Sequence, residues 1–291
     1  MPAKPRSGSP RPANKKAPSS DLQLTGLLQR GAGVVCDLDG VLYRGDDPIE
    51  GAADAVQRLR AAGLSLLFCT NNSYPTRAAY AQKLRSMGID IEARELLTSA
   101  VVTAEVLAAR GLNGSRALVI GGPGLREALL EHDIEPLDGE DGAPDLVAVG
   151  YDPTFDYAAM RAATKALLDG SLFVATNNDP SFPAPGGALW PGTGAILASL
   201  QTASGRTPEV MGKPHQPMMD AAAAHLEGSD PIFVVGDRPE TDLAGGRAKG
   251  WTTVLVLSGV TSRTDVDSVQ PRPDVVLEDI GEFASHVPTA T

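Results

Sequence analysis

The stretch Val34-Val35-Cys36-Asp37-Leu38-Asp39-Gly40 ends a continuous apolar run on two carboxylates and a glycine, and few folds accommodate it. An unbroken rather than alternating apolar run reads as a strand buried on both faces, as in a parallel sheet covered by helices. Ligands of such sheets bind just beyond the carboxyl ends of the strands, which is where Asp37 and Asp39 fall. Gly40 frees the backbone to turn sharply there. Residues two apart on a strand share a face, but the chain is leaving the strand at this point. Both carboxylates therefore reach one site only if the turn directs them there. Taken alone, an Asp-x-Asp of this kind reads more readily as an acidic turn.

Its weight comes from three other segments. Leu66-Leu67-Phe68-Cys69 is a second apolar run and ends in Thr70-Asn71-Asn72-Ser73. Those hydroxyl and amide groups, with the free N–H groups of a turn, can hold a phosphate oxygen without adding charge. Met211-Gly212-Lys213-Pro214 holds a lysine between glycine and proline, and Phe233-Val234-Val235-Gly236 runs into Asp237-Arg238-Pro239-Glu240-Thr241-Asp242. Singly these are a capped turn, a solvated lysine and an N-capped helix. In this order they point to one site.

Helical patterns separate the strands. Residues 51–62 carry Ala52, Ala55, Val56 and Leu59 at helical spacing and stop at Gly63; residues 75–87 begin on Pro75 and stop at Gly88; residues 99–110 stop at Gly111. Further helices are expected at 124–132 and 157–168. Strands are expected at 34–37, 64–69, 117–120, 146–150, 172–176, 232–236, 253–257 and, at an edge, 275–277. This alternation predicts an α/β fold with a parallel sheet. The Thr70 and Lys213 segments lie too far apart for a connection inside one compact domain, so a second α/β unit is expected between them. Gly121-Gly122-Pro123-Gly124 lacks the dinucleotide spacing, and Gly212-Lys213 is followed by Pro214 instead of Ser or Thr, so neither common nucleotide loop is present.

Together the segments resemble the motifs of the haloacid dehalogenase-like phosphatase superfamily. The stretches Asp37-Leu38-Asp39-Gly40-Val41-Leu42-Tyr43-Arg44-Gly45, Pro191-Gly192-Thr193-Gly194-Ala195, Thr202-Ala203-Ser204-Gly205-Arg206 and Gly236-Asp237-Arg238-Pro239-Glu240-Thr241-Asp242 are similar to its NagD-type branch. That branch includes nucleotide, glycerol-3-phosphate, phosphoglycolate and pyridoxal-phosphate phosphatases. The resemblance implies a Rossmann-like doubly wound parallel-sheet core with an inserted α/β cap domain, the core spanning residues 21–111 and 208–291 and the cap 112–207.

It further implies a Mg²⁺-dependent phosphatase. The negative oxygens of a phosphate ester repel an anionic nucleophile, so a catalyst must offset that charge and position the nucleophile. By resemblance, Asp37 is the nucleophile that forms an aspartyl phosphate, and Asp39 is the general acid and base. Asp37 and Asp237 are expected metal ligands together with the backbone carbonyl of Asp39, and Asp242 is expected to orient them from behind. Lys213 holds the phosphate and offsets the carboxylates, with Thr70, Asn71 and Asn72 supplying the remaining donors. An acid at position 39 argues for phosphoryl transfer over dehalogenation, because a departing alkoxide needs a proton and a halide does not.

The cap is expected to set specificity, and Asn177-Asn178-Asp179-Pro180-Ser181-Phe182-Pro183 matches a specificity loop of relatives. Pyridoxal-phosphate phosphatases carry histidine at the place of Phe182, which argues against that substrate. Phe182 either shields the site from water or packs against the cap, and Asp179 either accepts from a substrate hydroxyl or caps a turn. No ring-stacking cluster stands out along the chain. The expected substrate is thus glycerol 3-phosphate or a similar polyol or sugar phosphate. The alternatives are phosphoglycolate, a nucleoside monophosphate, or a non-catalytic sensing role. A homodimer through the cap is also expected.

A net charge of −11 argues against broad binding to nucleic acid or membrane surfaces. No run is long and apolar enough to span a bilayer. Cys36 and Cys69, expected as buried thiols, form no disulfide framework and fit a reducing cytoplasm. No His/Cys spacing points to zinc. Residues 1–20 combine Pro, Ser, Ala, Lys and Arg with no acid and read as a disordered basic tail.

Overall fold

The computed structural model describes residue 24 and residues 26–139, 142–183 and 188–288; the basic tail expected at 1–20 lies outside them. Six parallel strands form the principal sheet, in the order Val275–Leu277, Thr252–Val256, Ile232–Gly236, Gly33–Cys36, Ser65–Thr70, Leu96–Thr98. From Gly33–Cys36 the chain first builds outward through Ser65–Thr70 and Leu96–Thr98. It later returns and builds the other way from Ile232–Gly236. The order reverses between these two central strands, and a crevice opens at their carboxyl ends. This is the Rossmann-like core. A second parallel sheet, in the order Glu209–Val210, Leu172–Ala175, Leu146–Val149, Arg116–Ile120, Glu135–Leu137, forms the α/β cap.

Burial on both faces explains the unbroken apolar runs. On one face Val34, Phe68 and Phe233 pack with Ala52, Ala55, Val56 and Leu59 of the helix Ala52–Ala61 and with Phe283, whose ring meets Phe233 edge to face at 5.8 Å. On the other face Val35, Leu67, Leu97 and Val234 meet the helix Ser99–Ala109. That helix is buried over most of its surface because it lies between the two sheets. Its Ala100, Val102, Ala104 and Leu107 share one cluster with Leu125 and Leu129 of the helix Pro123–Leu130 and with Ala117, Ala148 and Val174 of the cap sheet. A helix enclosed in this way has no amphipathic stripe, and Ser99–Ala109 carries no charge on its inward residues.

The strands Leu96–Thr98, Glu135–Leu137 and Glu209–Val210 are absent from the sequence reading. Each has two or three residues and closes the edge of a sheet, so the apolar pattern has no length over which to register. Val275–Leu277 does occupy an edge, as expected. Cys36 belongs to the face with Val34 and Phe68, Cys69 to the opposite face with Val35 and Leu67, and both thiols are free. No helix among the described residues is long and apolar enough to cross a membrane.

Candidate active site

The two central strands deliver the first acids. Asp37 follows Gly33–Cys36 and its N–H still donates to Val235 O at 2.9 Å, which keeps it in register. Asp237 follows Ile232–Gly236 on the neighbouring strand. Two glycines let the chain close around the second carboxylate. Gly40 has φ +85°, and a Cβ on Gly40 or on Gly259 would collide with the Asp237 side chain. The Val260 N–H donates to Asp237 Oδ2 at 2.6 Å and the Thr261 hydroxyl to Asp237 O at 2.6 Å. Asp237 Oδ1 is buried and has no hydrogen-bond partner among the described residues.

Lys213 is 4% exposed; its ammonium donates to Asp37 Oδ1 at 2.6 Å and to Cys69 O at 2.9 Å, and forms an ion pair with Asp242 Oδ1 at 2.7 Å. Asp242 also accepts the Arg238 N–H at 3.1 Å. Burial pushes the Asp37 carboxyl above the ordinary range, and Asp242 and Asp237 add to the rise against Lys213. Asp237 is raised for the same reasons, burial first and Asp242 next. Burial alone would lower Lys213, but Asp242 and Asp37 outweigh it and hold the ammonium well above its usual value.

One lysine does not balance three acids. The nearest carboxylate oxygens of Asp37, Asp237 and Asp242 all lie within 4.8 Å of one another. Hard oxygen donors, a surplus of negative charge and an unpartnered buried oxygen on Asp237 fit a divalent cation of the Mg²⁺ or Ca²⁺ kind. The Asp39 side chain is not in this trio. It is exposed overall but lines the same cleft, and partial desolvation there raises its carboxyl against the opposing charges of Lys83 and Arg238.

Thr70, Asn71 and Asn72 line the cleft as well. The Asn71 side chain is engaged throughout. Its Oδ1 accepts the Lys213 N–H at 2.7 Å, and its Nδ2 donates to Lys213 O at 3.0 Å and to Asp179 Oδ2 and Oδ1 at 3.1 and 3.3 Å. Both amide hydrogens are taken, so the amide has none free for a ligand. The Asn71 carbonyl accepts from Ser99 Oγ at 2.6 Å and from Asn177 Nδ2 at 2.8 Å. The turn at Asp179 is closed by Asn177, whose Oδ1 accepts the Asp179 N–H at 3.1 Å; the Asp179 carboxylate instead lines the cleft.

Along the chain no ring-stacking cluster is visible, but the fold builds one. Tyr74 and Tyr151 meet at 5.8 Å between ring centroids, Tyr151 and Phe182 at 4.9 Å, and Phe182 and Trp190 at 6.2 Å, all edge to face. The first three line the cleft, which encloses about 230 Å³. Tyr74, Tyr151, Arg238 and Val260 are among the cleft residues that sequence reasoning passed over. Only Arg238 left a signal, because it sits inside the Asp237–Asp242 motif; the tyrosines come from unrelated segments.

Residues 34–135 match the family model of haloacid dehalogenase-like hydrolases, and residues 210–283 match a second HAD-hydrolase-like model. An acid sugar phosphatase of Staphylococcus haemolyticus is 36% identical over 257 residues, which is 88% of this chain and 96% of that one. A glycerol phosphate phosphatase of Mycobacterium tuberculosis, solved in complex with magnesium, is 32% identical with a TM-score of 0.81, over 88% of this chain and 77% of that one. NagD of E. coli is 30% identical with a TM-score of 0.77, over 87% and 98%. The three relatives match over core and cap together, and the chain belongs to the haloacid dehalogenase-like hydrolases, in their NagD-type branch.

Proposed function

We propose that this phosphoric monoester hydrolase is Mg²⁺-dependent, works through an aspartyl phosphate on Asp37, and acts on a small polyol or sugar phosphate. The observation that carries the reading is the Asp37 carboxylate held 2.6 Å from a buried lysine, at the point where the sheet order reverses. Asp37 and Asp237, with the Asp39 carbonyl, would hold the cation, and Asp242 would orient them. The bound ion would supply positive charge to the phosphate oxygens and relieve the repulsion among the acids.

Asp37 Oδ attacks phosphorus and the ester P–O bond breaks. Asp39, whose carboxyl partial desolvation raises, gives its proton to the leaving alkoxide. Asp39 then takes a proton from water, whose oxygen attacks the phosphorus of the aspartyl phosphate. The Asp37–phosphorus bond breaks, releasing inorganic phosphate and restoring the carboxylate. Lys213 balances charge on Asp37 and the phosphate throughout. Thr70, Asn71 through its backbone, and Asn72 bind the remaining phosphate oxygens.

The reading assigns a cap to about residues 112–207 and a homodimer to its surface. A polyol or sugar phosphate as substrate is supported by the acid sugar phosphatase and glycerol phosphate phosphatase among the relatives. The test is phosphate release with Mg²⁺ from glycerol 3-phosphate, sugar phosphates, phosphoglycolate and nucleoside monophosphates, with wild type beside Asp37→Asn. Release by wild type alone supports the reading. Release by the variant removes Asp37 from the mechanism, and tight ester binding without release favours a sensor.

A further inference from the structure

We propose that Lys83 is a positioning residue for the general acid: it straps the hairpin 43–48 to the helix Arg77–Ser86 and so fixes where Asp39 meets the leaving group. The inference rests on the phosphatase reading above, in which Asp39 gives its proton to the alkoxide, and adds a residue that holds Asp39 in place.

Asp37 is kept in register by the sheet, but Asp39 has already left it. The backbone at Asp39 pairs with Tyr43 in an isolated bridge, and the Gly40 N–H donates to Tyr43 O at 2.7 Å. Asp39 is therefore only as fixed as Tyr43. Tyr43 opens a hairpin of two-residue strands, Tyr43–Arg44 against Asp47–Pro48, with Gly45 at φ +56° in the turn and residues 44–48 exposed. A hairpin this short is not stable unsupported, so its anchors decide its position.

Two anchors come from other segments. The Arg44 guanidinium donates to Ser258 O, and Ser258 Oγ donates to Gly40 O at 2.6 Å. The second anchor is Lys83. Its ammonium donates to Gly45 O at 2.6 Å and stands 4.3 Å from the centroid of the buried Tyr43 ring. The base of this strap is firm. The helix Arg77–Ser86 buries Tyr80 and Leu84 in the core, and Thr76 caps it by accepting the Ala79 N–H at 3.1 Å. The ion pair of Lys83 with Asp46 at 3.3 Å matters less, because Asp46 is fully exposed and such pairs contribute little. The Lys83 ammonium and the Gly45 N–H also act on the Asp39 carboxyl, both opposing the effect of its burial. Loss of Lys83 should therefore displace the acid while the nucleophile stays where the sheet holds it.

The test compares kcat/KM with Mg²⁺ on two esters. One is the best alkyl ester of the panel above, whose alkoxide needs a proton to leave. The other is 4-nitrophenyl phosphate, whose phenolate leaves without one. Because kcat/KM covers the steps up to departure of the alcohol, the later role of Asp39 as base does not enter. Asp39→Asn calibrates complete loss of the acid. In Lys83→Met the alkyl-to-aryl ratio is expected to fall about tenfold, part of the roughly 100- to 10,000-fold that a positioned acid supplies. Lys83→Arg keeps a cationic donor over the ring and should restore most of the ratio. A general loss of folded enzyme cancels within each ratio. A ratio unchanged in Lys83→Met while Asp39→Asn lowers it overturns the strap and leaves the phosphatase reading standing. Release by wild type from no ester sinks the phosphatase reading, and an unchanged ratio in Asp39→Asn sinks the acid role. In either case amide hydrogen exchange across residues 40–49 decides the strap by itself. Exchange about fivefold faster in Lys83→Met than in wild type and Lys83→Arg supports the strap, and equal exchange overturns it.

Discussion

Asn71→Ala separates two roles for one side chain, a phosphate ligand or a brace between core and cap. Its amide satisfies the Lys213 N–H and C=O and also reaches the Asp179 carboxylate. Removing it leaves two backbone groups of a buried residue without partners. An unsatisfied buried polar group costs about 1–3 kcal/mol, so the pair, partly rescued by entering water, should cost roughly 2–4 kcal/mol. At about 2–4 °C per kcal/mol for a chain of this size class, Tm should fall by roughly 5–15 °C. The same loss frees the backbone that aims Lys213 at Asp37 and Asp242, and a displacement near 1 Å lowers kcat by about 100-fold. Thermal unfolding by circular dichroism and initial rates on the best ester measure both effects. Asn71→Asp keeps the acceptor for the Lys213 N–H but turns a carboxylate oxygen towards Lys213 O and Asp179, so it should be at least as damaging. A bare phosphate ligand would behave differently, with KM rising and Tm unmoved. A Tm within about 2 °C of wild type together with a kcat loss under about threefold would refute the bracing argument.

Two further outcomes follow from the same geometry. Mg²⁺ should raise Tm of the wild type saturably, by about 2.7 kcal/mol of stabilisation at 100 times its Kd, and Asp237→Asn should remove the rise; a flat wild-type titration would deny the trio a cation. Both thiols are buried, with Cys36 raised well above its usual value by burial and Cys69 pushed up to about 12 by burial. Ellman's reagent should therefore label neither thiol in the folded enzyme and both after denaturation, and rapid native labelling of either would contradict that packing.

Much of the core was legible in the chain because its cues are local. Val34–Cys36, Leu66–Cys69 and Phe233–Gly236 each read as buried strands, and their polar ends marked the crevice before the strand order was known. Leu96–Thr98 and Glu209–Val210 were illegible, since strands this short form only where a neighbour supplies hydrogen bonds. The opposite facing of Cys36 and Cys69 follows from strand register, which the spacing of two cysteines does not encode.

The sequence by itself determined the α/β class, the identity of the acids at the strand ends and the presence of an inserted unit, because each depends on runs of adjacent side chains. Only the tertiary structure decided that Asn71 braces Lys213 to Asp179 and that Tyr74, Tyr151 and Phe182 form one wall. Those outcomes depend on where the cap sits over the core. That placement is set by the apolar cluster around Ser99–Ala109, a sum of many small contacts between distant residues that no single stretch of chain contains.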